Sequence, residues 1–300
     1  MRPFKAWISA FRLRTLPLAL SSVGMGGFLA AYYDRLRTDV LIASLLTTVL
    51  LQILSNLAND YGDSRHGADL AGRKGPARAV QSGVISPAAM KRAIYIFIGL
   101  SLVSGVAMLY LAFGLNIKFV LFFALGILAI GAAVAYTNGK RPYGYAGLGD
   151  ISVMIFFGIV GTLGSLYLHA ETVRWMDVFP ALSAGFLATA VLNVNNIRDM
   201  ESDRAAGKRS IPVRLGRKKA VWYHWFLLAG AAASATVFAA AEFDHWFQYL
   251  FALTLPLLVV NGLAVSRKTD PESLDPFLRQ LAISSLLFVL AFGAGLEWIR

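Results

Sequence analysis

An all-α bundle of about nine membrane-spanning helices is the fold class this sequence predicts, and three observations point to it. Hydrophobic residues make up 57% of the 300 residues and charged residues only 15%, against about 25% charged in an ordinary soluble domain. The mean hydropathy is +0.60. Apolar runs of roughly 20 residues, long enough to cross a bilayer as helices, recur along the whole chain. They leave little room for a separate soluble domain, so residues 1–300 read as one integral membrane domain.

The first run, 16–33, follows a basic segment that carries Arg2, Lys5, Arg12 and Arg14. It is long for a secretory h-region and no compelling cleavage site follows, so it reads as a retained helix. The second, 40–58, ends in the Asn-rich stretch Ser55-Asn56-Leu57-Ala58-Asn59. Runs 93–113 and 117–136 are separated only by a short break at Gly114, which makes them antiparallel neighbours. The fifth, 149–168, opens at Asp150, and the sixth, 178–197, ends in a second Asn-rich stretch, Asn193-Val194-Asn195-Asn196. Runs 220–240 and 246–264 are divided by a turn at Glu242, Asp244 and His245, and 281–299 completes the set.

With the N-terminus placed inside, 23 of the 28 Lys and Arg residues lie before the first run or in 60–92, 137–148, 198–219 and 265–280, all on that side. Lys and Arg bias sets orientation through the positive-inside rule. The expected topology is an N-terminus in the cytoplasm and a C-terminus outside, in the plasma (inner) membrane. The net charge of +11 is explained by topology, so no nucleic-acid partner is expected. The absence of cysteine excludes disulfides, thiolate ligands and cysteine nucleophiles. His66, His169, His224 and His245 are scattered without paired ligand spacing.

Two acidic segments carry the functional signal. One runs through Asn56, Asn59, Asp60, Asp63 and Asp69, the other through Asn195, Asn196, Asp199 and Asp203. Carboxylates beside a bilayer are costly and mark functional sites. Three spans lie between the two helices that carry them, so both helices run the same way and both segments face the same side, and the matched Asn-rich ends hint at a duplicated unit. Asn59 and Asp63, and Asn195, Asp199 and Asp203, recur at four-residue steps, one face of a continuing helix. Oxygen ligands of this kind suit Mg2+, which takes one or two carboxylates and completes its shell with water and substrate phosphates. The candidate metal ligands are therefore Asp60, Asp63, Asp69, Asp199 and Asp203, and a diphosphate would lie between the clusters.

Basic residues follow each cluster. Arg73, Lys74 and Arg78 continue the first, Arg204, Lys208 and Arg209 the second, and Lys140 and Arg141 lie in the loop between. Arg offers a bidentate fork to phosphate and Lys a point charge. Arg78, Lys140, Arg141 and Lys208, with Asn59 and Asn195, are the candidate substrate-binding residues.

These paired motifs resemble those of the UbiA superfamily of intramembrane prenyltransferases, whose two Asp-rich motifs bind magnesium and a polyprenyl diphosphate. The family's usual first motif has Asn, Asp and Asp at four-residue steps. Here Asn59 and Asp63 fit, Gly67 takes the third position and Asp69 follows two later. That longer spacing resembles the branch acting on 1,4-dihydroxy-2-naphthoate. The second motif, Asn195 to Asp203 followed by Gly207-Lys208 and Leu215-Gly216, matches without a gap. Arg14-Thr15-Leu16-Pro17 and the stretch Lys140 to Asp150 are also similar.

The resemblance implies prenyl transfer from a polyprenyl diphosphate to dihydroxynaphthoate, with loss of diphosphate and carbon dioxide, giving a demethylmenaquinone in menaquinone biosynthesis. It implies Mg2+, catalytic roles for Asp63, Asp69, Asp199 and Asp203, a cavity facing the cytoplasm, and lipid around the bundle. Tyr136, Phe156 and Phe157 are candidates to face an allylic cation. Asp150 is expected to cap its helix or support Arg141, and Arg14 to anchor topology. Two other readings stay open: an acceptor such as 4-hydroxybenzoate, and a cation transporter, although transport calls for charges in mid-span.

Overall fold

The computed structural model describes residues 3–66 and 78–297, whose regular secondary structure is all helical, with no strand among them. A short helix α1 (Pro3–Phe11) precedes α2 (Leu16–Tyr32), where Pro17 occupies the first turn and pre-sets its φ for helix. Next come α3 (Thr38–His66), α4 (Pro87–Phe113) and α5 (Ile117–Ala135). The Ser86 hydroxyl accepts the Ala89 N–H at 3.2 Å and starts α4 ahead of its apolar run. Asn116 caps α5 in the same way, accepting from Lys118 and Phe119 at 2.8 and 3.1 Å.

The second half holds α6 (Gly149–Ala170), α7 (Val178–Arg198), the short α8 (Met200–Ala205), α9 (Ile211–Ala241), α10 (Trp246–Arg267) and α11 (Asp275–Glu297). Among the described residues, nine helices are long and apolar enough to cross a membrane, and the protein is an integral membrane protein. Three depart from the regular spans the sequence suggests. Helix α6 widens into a π-helix over Met154–Gly164. Helix α9 is bent at Gly216, whose φ of 74° suits glycine, and α10 opens as a 3-10 helix over Trp246–Thr254.

Helix α3 also runs past the predicted end at 58. Its 29 residues extend about 43 Å at 1.5 Å per residue, more than the roughly 30 Å of hydrocarbon. Asn59, Asp60 and Asp63 of the first acidic motif therefore lie on helix, at the end that emerges from the apolar layer. It is held there by close approach: a Cβ on Gly62 would meet the Thr137 carbonyl carbon at 2.7 Å, and Asn138 donates to the Ala58 carbonyl at 2.9 Å.

The main core joins α2, α6, α7, α9, α10 and α11 through Met25, Leu166, Leu187, Leu227, Phe238, Phe251, Phe288 and Phe292, all buried. A second cluster, with Leu54, Leu57, Met90 and Ile94 under Ala6 and Ala10, ties α1 and α4 to α3. Helix α5 has no buried residue and packs chiefly on α3 and α4. It thus stands away from α6, and a cavity lies between them.

Helices α2 and α6 meet through small residues, the usual device where lipid offers no hydrophobic drive between helices. Thr162 and Ser165 hydroxyls donate to the Ser22 and Val23 carbonyls at 3.1 and 3.2 Å. A Cβ on Gly26 would stand 2.7 Å from Ser165 Cβ and 2.9 Å from Leu166 N. Gly26→Ala is therefore expected to destabilise the bundle by about 1–3 kcal/mol through overpacking, seen as a lower unfolding midpoint in detergent. An unchanged midpoint would contradict this packing.

Candidate active site

A cavity of about 760 Å³ runs through the bundle between α2, α3, α4, α5, α6 and α7. At one end its lining is polar: Arg12, Asn59, Asp63, Arg78, Asn195, Asn196 and Lys208. Along its length it is apolar, with Leu18, Leu109, Phe122, Phe156, Phe157 and Leu168. Helices α5 and α6 both line it without packing closely on each other.

The polar end is built from the terminal turns of α3 and α7. Three buried carboxylates, Asp63, Asp199 and Asp203, are each matched by a cation, as the low-dielectric surroundings demand. Asp63 pairs with Arg78 and accepts the Tyr145 hydroxyl at 2.8 Å. Asp203 pairs with Lys208 at 3.2 Å. Asp199 takes both arms of Arg198, Nε and Nη2, at 2.8 Å each. Arg198 continues to Asp275 at 2.6 Å, which also accepts from Arg14 at 3.0 Å.

Burial raises the Asp203 carboxyl above its usual range, while Lys208 works the other way. For Lys208, burial disfavours the charge, but Asp203 and Asp63 outweigh it and hold its pKa above the ordinary lysine value. The ammonium therefore stays charged at neutral pH.

Tyr145 joins the two motifs. Its hydroxyl reaches Asp63, its ring lies 5.9 Å from Lys208 Nζ, and its carbonyl accepts the Arg209 N–H at 2.9 Å. Gly147 makes the turn possible: its φ is 82°, and a Cβ there would collide with the Arg209 carbonyl. Loop 143–147 is in this way clamped to loop 207–210.

Of the residues singled out in the sequence, Asn59, Asp63, Arg78, Asn195 and Lys208 line the cavity, as do Tyr136, Phe156 and Phe157. Asp199 and Asp203 are buried at 5% and 4% exposure, linked to that lining through Asn195 and Lys208. Asp60 is buried and accepts the Ala79 N–H at 3.3 Å, and it is not part of the lining. Lys140 and Arg141 sit exposed on the 137–148 loop and do not line the cavity. Asp69 lies outside the described residues.

Asp150, expected to cap its helix or support Arg141, stands in the first turn of α6 and accepts the Tyr223 hydroxyl at 3.2 Å. The motif helix does not run straight through Asp199, whose φ and ψ of −93° and 11° leave the helical basin. The Asp203 N–H nonetheless bonds the Asp199 carbonyl at 2.8 Å, preserving the four-residue step.

Residues the sequence reasoning passed over are Arg12, Tyr145, Arg198, Asn196 and Asp275. Arg12 enters the cavity lining from a left-handed turn, φ 49°, a conformation that costs a non-glycine residue of order 1–3 kcal/mol. Arg198 and Tyr145 lie inside the quoted motifs, but no spacing rule marks them. Asp275 sits 72 or more residues from both motifs and carries no local signal.

The available donors are oxygens, hard ligands that fit a divalent cation such as Mg2+. Asn196 Oδ1 and Asp60 Oδ1 are buried without a hydrogen-bond partner. Among the described residues no group of three or more acidic or His side chains converges to hold a metal alone. Asp63, Asp199, Asp203 and Asn196 could hold an ion whose shell is completed by water and an anionic ligand.

Tyr145→Phe keeps the ring and removes one hydrogen bond to a charged carboxylate, worth about 1.5–3 kcal/mol. The expected result is roughly a 10- to 100-fold loss of kcat/KM, with circular dichroism showing the variant still folded. Wild-type kinetics in that variant would remove Tyr145 from the site.

The sequence profile of the UbiA prenyltransferase family matches residues 19–290. The chain is 43% identical over 294 residues to a 1,4-dihydroxy-2-naphthoate octaprenyltransferase of Haemophilus influenzae, covering 97% of this chain and 96% of the relative. It is 44% identical over 292 residues to the protein of that name from Escherichia coli, with 97% and 95% covered. In structure it resembles a UbiA homolog from Aeropyrum pernix, with a TM-score of 0.69, 18% identity, and 96% and 98% of the chains covered. A UbiA homolog from Archaeoglobus fulgidus bound to GPP and Mg2+ gives a TM-score of 0.64 at 18% identity, with 97% and 99% covered. This chain belongs to the UbiA prenyltransferase family.

Proposed function

We propose that this protein transfers a polyprenyl group from polyprenyl diphosphate to 1,4-dihydroxy-2-naphthoate, releasing diphosphate and carbon dioxide and forming demethylmenaquinol for menaquinone biosynthesis. The observation that carries the reading is one cavity whose polar end joins both acidic motifs to Arg12, Arg78 and Lys208, and whose remainder is apolar. The names of the relatives at 43–44% identity over nearly the whole chain support the acceptor.

The diphosphate binds at the polar end, where Arg12, Arg78 and Lys208 supply donors. Asp63, Asp199 and Asp203 hold Mg2+, with the neighbour bound to GPP and Mg2+ as support. When bound, the metal stabilises charge developing on the leaving diphosphate. The bond between the allylic carbon and the diphosphate oxygen breaks. The apolar wall keeps water from the resulting cation, which would otherwise be hydrolysed. Tyr136, Phe156 and Phe157 line the cavity and present ring faces that attract positive charge. The naphthoate ring carbon bearing the carboxylate forms the new carbon–carbon bond. The electrons of the carboxylate bond return to the ring as carbon dioxide departs.

The seam between α5 and α6 gives the long isoprenoid tail a route to lipid. Lys and Arg bias supports a polar cavity end at the cytoplasmic face of the plasma membrane, with the N-terminus inside and the C-terminus outside. Residues 1–300 act as a single catalytic domain in this reading. The aspartates of the two motifs gather at one end of the bundle, which fits diphosphate binding and not a cation path across the membrane.

The test incubates purified protein with polyprenyl diphosphate, Mg2+ and competing dihydroxynaphthoate and 4-hydroxybenzoate, with products identified by mass spectrometry. A prenylated naphthoquinol is expected, and chelation of the metal should abolish it. Prenylated hydroxybenzoate alone would overturn the acceptor assignment. Asp63→Asn and Asp199→Asn should each cost about 100-fold or more in kcat, the scale of losing an electrostatic stabiliser of developing charge. Circular dichroism should show both variants folded.

A further inference from the structure

The buried guanidinium of Arg198 has more to satisfy than one carboxylate can supply. Its side chain is fully buried, and it donates to Asp199 through Nε and Nη2, to Asn195 Oδ1 through Nη2 at 2.8 Å, and to Asp275 Oδ1 through Nη1 at 2.6 Å. The guanidinium is a rigid planar fork, so a bond at Nη1 fixes the rotation of the whole group. Its other edge then dictates where the Asp199 oxygens lie. Asp275 stands in the first turn of α11, while Arg198 closes α7. The last helix is thereby coupled to the second acidic motif. Arg14 is the second cation on Asp275, giving an alternating row Arg14–Asp275–Arg198–Asp199 across three elements remote in sequence.

We propose that Asp275 is a positioning residue of the diphosphate site: by holding Nη1 of Arg198 it orients Asp199 and shares the guanidinium charge, leaving that carboxylate able to attract a cation. Without Asp275, the buried Arg198 has Asp199 as its remaining anionic partner among these contacts. A fully committed ion pair competes with any cation that needs the same oxygens. With Asp275 present, Arg198 keeps a counter-ion when Asp199 turns toward a cation–diphosphate pair. The inference rests on the reading of the two motifs as a cation–diphosphate site and adds a residue outside both.

The test measures Mn2+ binding in the presence of inorganic pyrophosphate, by electron paramagnetic resonance on the purified full-length protein in detergent. Asp275→Asn should weaken it by about 10- to 100-fold, the usual effect of removing a partner that orients a ligand. In turnover, the half-saturating Mg2+ concentration and the KM for prenyl diphosphate should rise together, with the KM of the acceptor unchanged. Asp275→Glu, which retains the anion, should restore much of the affinity. Arg14→Ala breaks the tether between the N-terminal segment and α11 but leaves Arg198 paired with Asp275, so it should weaken binding much less than Asp275→Asn. Wild-type binding in Asp275→Asn would overturn the proposal. So would equal losses in Arg14→Ala and Asp275→Asn, because a tether alone then explains both. Wild-type protein that binds Mn2+ and pyrophosphate yet prenylates no naphthoate would instead overturn the acceptor, with the binding series still deciding the role of Asp275.

Discussion

The aspartates of the two acidic motifs that lie among the described residues, Asp60, Asp63, Asp199 and Asp203, are all buried, and that constraint organises the polar end of the molecule. A buried charge without a partner is severely unfavourable, so each position demands a cation or a donor from another part of the chain. Arg78 answers Asp63, and Lys208 answers Asp203 around the turn at Gly207. Arg198 answers Asp199 from the next residue along and must itself be shared with Asp275. These pairs close the bundle at one face and bring α3, α7 and α11 to a common site. They also give the site its chemistry, because the same cations are suited to diphosphate oxygens and the same carboxylates to a divalent ion.

The fold serves the opposite need along the rest of the cavity. A reactive carbocation must be kept from water, and its precursor carries a long apolar tail. Helix α5 has no fully buried side chain and packs chiefly on α3 and α4, and apolar residues of α5 and α6 line the cavity between them. Helix α6 is wide over Met154–Gly164, a distortion found at functional sites, and this stretch presents Phe156 and Phe157 to the cavity. Glycine and small hydroxyl residues on α2 and α6 bring the two backbones close enough to hold the distortion in place.

Much of this was legible from local pattern. Apolar runs report spans because only a helix satisfies its own backbone in hydrocarbon. The runs at 16–33 and 178–197 match α2 and α7 closely, whereas the ends of α3, α4 and α9 lie farther out. Those extra turns carry polar residues such as Asn59, Lys91 and Lys218, which hydropathy reads as loop. The acidic motifs were legible because carboxylates at a span end are conspicuous. Lys140 and Arg141 looked equal to Lys208 in the sequence, since positive charge in a loop says nothing of direction. The structure turns Lys208 inward and leaves the other two exposed.

The sequence by itself determined the class of the protein: helical, membrane-embedded, with two acidic motifs and a basic bias on one side. These follow from composition and from spacing along one helix, which are local quantities. Only the tertiary structure decided which charges meet. Tyr145 joins the motifs, and Asp275 steadies Arg198, through contacts spanning 82 and 77 positions. Such pairings are fixed by how helices pack and by the requirement that buried charges be matched, and neither condition is written at any one position of the chain.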